Sequence, residues 1–89
     1  MLFFLAGSLA AFGQDLTISG TVSEESGDPL PAVTVSIKGT ALGTATDMNG
    51  GYTIKAPAGS VLVFSFVGME TYEVRVKDQT TINVTLRTS

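Results

Sequence analysis

Asp47-Met48-Asn49-Gly50-Gly51-Tyr52 sets an acid, an amide and two glycines in a row ahead of an aromatic. Two kinds of chemistry fit those residue types. Asp47-Met48-Asn49-Gly50 resembles the first half of a calcium loop, D-x-N-x-D-G, in which carboxylate and amide oxygens converge on a hard cation. Such a loop also needs later carboxylates and a bidentate Glu at its far end, and both are missing here. The other fit is a hairpin turn. Asn-Gly tolerates the positive φ that a tight turn demands, and a leading Asp can accept a backbone N–H across it. The residues favour the turn, which would present Asp47, Asn49 and Gly50 as an interaction surface.

The remaining inventory leaves little room for catalysis. With no His and no Cys, the usual general base near neutral pH and the best nucleophile are both missing. Carboxylates, Lys55, Lys77 and hydroxyls remain. The carboxylates cluster in turns: Glu24, Glu25 and Asp28 in one, Asp47 in the next, Glu70 and Glu73 after a strongly apolar run. None has a sequence context that would bury it beside a like charge and raise its pKa. The sequence therefore reads as a non-enzyme with no cofactor and no metal site. Eight acidic and five basic residues give a net charge of −3 with no run of Lys or Arg. That lacks the footprint phosphate binding requires, so nucleic acid is excluded as a partner. Asn83-Val84-Thr85 satisfies a glycosylation sequon but falls inside an alternating strand and is read as a chance match. Tyr52, Phe64, Phe66 and Tyr72 could form an aromatic platform, yet their parity assigns most of them to the core.

The elements that must position these residues are strands. In "DLTISGTVS" Leu16, Ile18 and Val22 share one parity with Gly20, while Thr17, Ser19 and Thr21 take the other, the period of a half-buried strand over 16–23. "EESGDPLP" then supplies turn residues. "AVTVSIKG" turns Val33, Val35 and Ile37 inward, and a short strand is expected over Thr44 to Thr46. "YTIKA" returns with Tyr52 and Ile54 on one face. "VLVFSFV" is apolar on both parities, as in a strand covered on both faces or central in its sheet; Lys55 and Glu70 flank it as gatekeepers against aggregation. "TYEVRVK" alternates through Tyr72, Val74 and Val76, with Met69 exposed in the turn before it, and "TINVTL" through Ile82, Val84 and Leu86. No 3.6-residue apolar stripe occurs after residue 14. Short strands at close spacing predict an antiparallel β-sandwich over residues 15–89. The apolar opening "MLFFLAGSLAAFGQ", residues 1–14, reads as a signal peptide remnant, too short to cross a bilayer, and implies export.

Taken in order, "GTV" at 20–22, "PLPAVTVSIKGT" at 29–40, "GTATDMNGGY" at 43–52 and "VLVFSFVGMET" at 61–71 resemble the carboxypeptidase-D regulatory-like domain at the N-terminus of SusC/RagA-type TonB-dependent outer-membrane receptors of Bacteroidetes. The resemblance runs from about Ile18 to Leu86. It implies an all-β fold, a seven-stranded transthyretin- or prealbumin-like Greek-key sandwich of Ig-like build. It also implies a non-catalytic accessory role, docking or regulatory, at the periplasmic face of the outer membrane. The implied partners are the receptor's plug and barrel, a SusD-like lipoprotein and, indirectly, TonB. Met69 stands where the family pattern "VGYET" has Tyr, Gly50-Gly51 replaces a more mixed pair, and the chain stops before any TonB box, plug or barrel strand. On that reading it is a fragment of a larger receptor; the alternative is a free-standing secreted or surface module that binds glycan or protein.

Overall fold

The computed structural model describes residues 15–89, so the segment 1–14 read above as an export signal lies outside the described residues. Seven strands follow in chain order: β1 Asp15–Glu24, β2 Thr34–Ile37, β3 Gly43–Ala45, β4 Gly51–Pro57, β5 Val61–Ser65, β6 Tyr72–Arg75 and β7 Val84–Leu86. They form two sheets, one of three strands ordered β4-β1-β7 and one of four ordered β3-β2-β5-β6. The all-β sandwich expected from the alternation, with the seven strands that the resemblance implied, is what the chain builds.

Each sheet turns its apolar parity inward. Ile18 and Val22 from β1, Tyr52, Ile54 and Ala56 from β4, and Val84 and Leu86 from β7 face Val35, Ile37, Leu62 and Phe64 of the other sheet. The Tyr52 and Phe64 rings meet edge to face with centroids 5.4 Å apart, the geometry that the ring quadrupoles favour. Burial of this shared apolar face is the main force holding the two sheets together.

Three expectations need correction. The sandwich is not wholly antiparallel, because β7 runs parallel to β1, with Val22 opposite Val84 and Glu24 opposite Leu86. Alternation says which face of a strand is buried, not which neighbour it takes or in what direction. Tyr72 keeps the inward parity, opposite buried Phe64, but it is not core: it is 48% exposed, and of this series only Val76, just past β6, is fully buried. β6 is an edge strand, so its first residue has sheet on one side only. Met69 is not a free turn residue, since it packs partly buried against the core.

β5 lies inside its sheet between β2 and β6, as its apolar run required. Its outer face, carrying Val61 and Val63, is half-buried. The Lys38–Glu73 ion pair, 3.1 Å long, crosses that face from the β2 side to β6. The charges over the apolar run thus come from neighbouring strands, whereas Lys55 lies on β4 in the opposite sheet.

The strand directions define two poles. β1 begins at one pole with Asp15, and the turns at 38–42, 57–60 and 77–80 lie there with it. At the other pole gather the segment 25–33, the turn 46–50, the turn 66–71 and the C-terminal residues 87–89.

Candidate functional site

The Asp47–Gly51 turn sits at the Ser89 pole and is closed by its own first residue. Asp47 Oδ1 accepts the backbone N–H of Asn49 and of Gly51, both at 2.9 Å. Asp47 N–H donates to Gly51 O, and Gly50 N–H donates to Asp47 O. One carboxylate oxygen therefore does the work of a turn cap, which is the role the sequence predicted for it. Gly50 carries φ +76°, as the Asn-Gly pair required.

Of the three residues expected to form an interaction turn, Asp47 and Asn49 are exposed and Gly50 is buried. The Val22 N–H donates to Gly50 O (2.8 Å), and the Leu30 N–H donates to Val22 O (2.9 Å). A Cβ on Gly50 would overlap Val22 O and press on Leu30 N and Pro29 Cβ. The turn is thus pinned to β1 beneath its tip. What it offers to solvent is Asp47, Met48 at 81% exposure, and Asn49.

Sequence reasoning missed the side chain that fixes the turn to the preceding loop. Apart from the Tyr52 phenol, Thr46 is the one buried polar side chain among the described residues. Its Oγ1 donates to Leu30 O at 2.6 Å and accepts the Val33 N–H at 2.9 Å. Its backbone N–H donates to Val33 O, and its carbonyl accepts the Ala32 N–H. These bonds hold Ala32 at φ +63°, a left-handed backbone on a non-glycine residue. The available signal was the loop itself: a Pro-containing segment leading into a strand leaves backbone groups that need partners.

The rest of the pole is tied in the same way. Glu70 N–H donates to Arg87 O at 2.8 Å and Ser89 N–H to Gly68 O at 3.1 Å, which is what half-buries Met69. Arg87 also pairs with Glu25 at 3.4 Å. Just before Gly68 and Glu70, Val67 is 88% exposed, at the rim of a shallow hollow with Ala32, Thr34, Ser65 and Phe66. Glu24, Glu25, Asp28, Asp47 and Glu70 all lie at this pole against the single cation Arg87, so most of the negative charge gathers here. A second open hollow runs between β3 and β4, lined by the hydroxyls of Ser19, Thr21, Thr44 and Thr53, with Asp47 at its end.

Two further side chains have structural duties in β1's neighbourhood. Asn83, the Asn of the sequon, accepts the Thr21 N–H on its Oδ1 at 2.9 Å, which stands in for a ladder carbonyl. Tyr52 reaches past Gly20, its partner across the β1–β4 ladder, and donates its hydroxyl to Ile82 O at 2.6 Å. Burial pushes the Tyr52 phenol up to about 12. Among the described residues no three acidic side chains gather as metal ligands. The groups this pole exposes are backbone, hydroxyl, carboxylate and apolar side chains.

The chain belongs to the family of the CarboxypepD_reg-like domain, whose model matches residues 18–89. Its relatives are TonB-dependent receptors. One from Formosa agariphila is 55% identical over 69 residues, covering 78% of this chain and 7% of that protein. The TonB-dependent receptor SusC of Bacteroides thetaiotaomicron is 37% identical over 90 residues, covering 98% of this chain and 9% of that protein. Another receptor of Formosa agariphila is 40% identical over 89 residues, with 98% and 9% covered. The chain therefore spans less than a tenth of the length of the curated relatives it matches.

Proposed function

We propose that the chain is a non-catalytic accessory domain of a TonB-dependent nutrient receptor, exported and held at the periplasmic face of the outer membrane. The observation that carries this reading is the family match over nearly all the described residues, joined to relatives that are receptors many times its length. Its role is docking or spacing. The surface it offers is the Ser89 pole, where Asp47, Met48 and Asn49 project from a turn that Gly50 anchors and where Val67 is also exposed. A turn held this firmly presents its tip without an ordering cost on binding. The partners are the plug and barrel of the same receptor and, through them, TonB and a SusD-like lipoprotein.

The test is removal of the segment matching residues 15–86 from an intact receptor, with nutrient uptake and barrel abundance measured together. Uptake or assembly should fall. Unchanged uptake at unchanged barrel abundance would overturn the proposal. A receptor carrying Met48→Asp with Asn49→Asp should lose part of the same activity if this turn is the docking surface.

A further inference from the structure

We infer that the domain is built to carry tension between its two ends, through a shear clamp formed by β1 and the segment that leads into β7. Asp15 lies at one pole and Ser89 at the other, and the two strands nearest those ends are parallel neighbours in one sheet. A pull that separates Asp15 from Ser89 therefore acts along both strands in opposite directions. Bonds across a pair loaded in that way share the force and must yield together, whereas a pair opened from one end yields one bond at a time.

The bonds across this seam extend well beyond the three ladder pairs of β7. Ser19 N–H donates to Thr80 O at 3.0 Å and Ile82 N–H to Ser19 O at 2.9 Å. Asn83 Oδ1 holds the Thr21 N–H where the ladder would otherwise be interrupted, and the ladder resumes at Val22 opposite Val84. From the other flank, the buried Tyr52 hydroxyl bonds Ile82 O and links β4 to the same segment. Gly20 lets the strands come this close, since a Cβ there would overlap Ile82 O. Residues 80–86 are thus gripped along most of the length of β1. Beyond them, the bonds of Arg87 and Ser89 to Glu70 and Gly68 form a short strap that a load on Ser89 meets first.

The receptor reading bears on this only as the source of the load; the clamp is a property of the fold and is read on the chain alone. The chain has no cysteine, so paired cysteine handles are unique. Single-molecule pulling through Asp15→Cys and Ser89→Cys loads the seam in shear. Pulling through Asp15→Cys and Ala58→Cys instead opens the β1–β4 ladder from its end, because Asp15 lies opposite Pro57. Rupture force should be several-fold higher in the first geometry, as resistance to forced unfolding is set by the unfolding barrier along the pull and not by equilibrium stability. Asn83→Ala should lower the force in the first geometry and leave the second nearly unchanged, and Tyr52→Phe should do the same to a smaller degree. Equal forces in the two geometries, or an Asn83→Ala variant that weakens both alike, would overturn the clamp.

Discussion

The two poles of the sandwich are joined differently. At the Asp15 pole the turns are closed in large part by their own residues, although the 57–60 turn is also bonded to Arg75 and Val76. Thr40 Oγ1 bonds Ile37 O and accepts the Leu42 N–H, Ser60 bonds Pro57 O through both its hydroxyl and its N–H, and Gln79 accepts the Lys77 N–H. At the Ser89 pole the loops, besides their own closing bonds, also lean on other segments: Gly50 on Val22, Thr46 on Leu30 and Val33, Glu70 on Arg87. A turn closed by itself can change without disturbing its neighbours. A turn closed by three others cannot, and this makes the Ser89 pole both the more rigid surface and the more fragile one.

Glycine substitution should separate the poles most sharply. Gly50 at φ +76° and Gly59 at φ +90° both have backbones that L residues avoid. Nothing lies within 4 Å of a Cβ built on Gly59, whereas one on Gly50 would intrude on the Leu30–Val22 hydrogen bond. Gly59→Ala should cost only the left-handed strain, about 1–2 kcal/mol. Gly50→Ala adds overpacking and should cost about 3–4 kcal/mol, in the range reserved for core disruption. Urea denaturation midpoints measure both; equal losses would mean that the loops of the Ser89 pole give way freely and that the contrast is false.

The next contrast is between two threonines. Thr46→Val keeps the shape and leaves Leu30 O and Val33 N–H buried without their partner, so about 2 kcal/mol should be lost. Thr40→Val removes the same kind of hydroxyl from an exposed turn, where water replaces it, and should cost about 0.5 kcal/mol. Similar values for the two would place the Thr46 bonds among ordinary surface contacts.

How much of this was legible in the sequence follows the same division. Because parity is a local property, the alternation of β1, β4 and β7 named most of their buried residues, with Leu16 only partly buried and Ala56 overlooked. The Asp47 cap was legible too, since acceptor and donors lie within four residues of one another. The burial of Gly50, the bonds of Thr46 and the left-handed Ala32 were not, because each depends on a partner 13 to 16 residues away, as Thr46 does on Val33 and Leu30, or on a different strand. The parallel setting of β7 beside β1 was hidden for the same reason: no pattern within "TINVTL" records the direction of a neighbour 62 residues earlier, as with Asn83 and Thr21. The candidate turn was thus found by type, and its anchoring only by structure.

Tyr52 offers a pH test between the poles. Its phenol ionises near pH 10 in the unfolded chain and near pH 12 in the folded one. Between those values the unfolded state gives up the proton and the folded state keeps it. Stability from this group is therefore complete below pH 10 and declines as pH rises towards 12. Tyr52→Phe should cost about 1 kcal/mol at neutral pH for the lost bond to Ile82 O, and its stability should fall less steeply than that of the native chain above pH 10. Parallel alkaline curves for the two proteins would mean that the hydroxyl is not held in the buried bond.

The smallest effects should come from the ion pairs, one near each pole. Lys38–Glu73 and Arg87–Glu25 are both exposed, and such pairs contribute about 0.5 kcal/mol or less because water and salt screen them. Lys38→Ala and Arg87→Ala should therefore shift the denaturation midpoint by similar, small amounts, and added salt should leave the difference between the Gly50 and Gly59 variants untouched. A large loss at Arg87 alone would mean that charge, and not the backbone mesh, holds the Ser89 pole. The two variants should differ in another property. Lys38→Ala uncovers the outer face of β5 around Val61 and Val63, so light scattering during refolding should rise in that variant, while Arg87→Ala, whose side chain pairs with Glu25 and does not cover that face, should refold as clearly as the native chain.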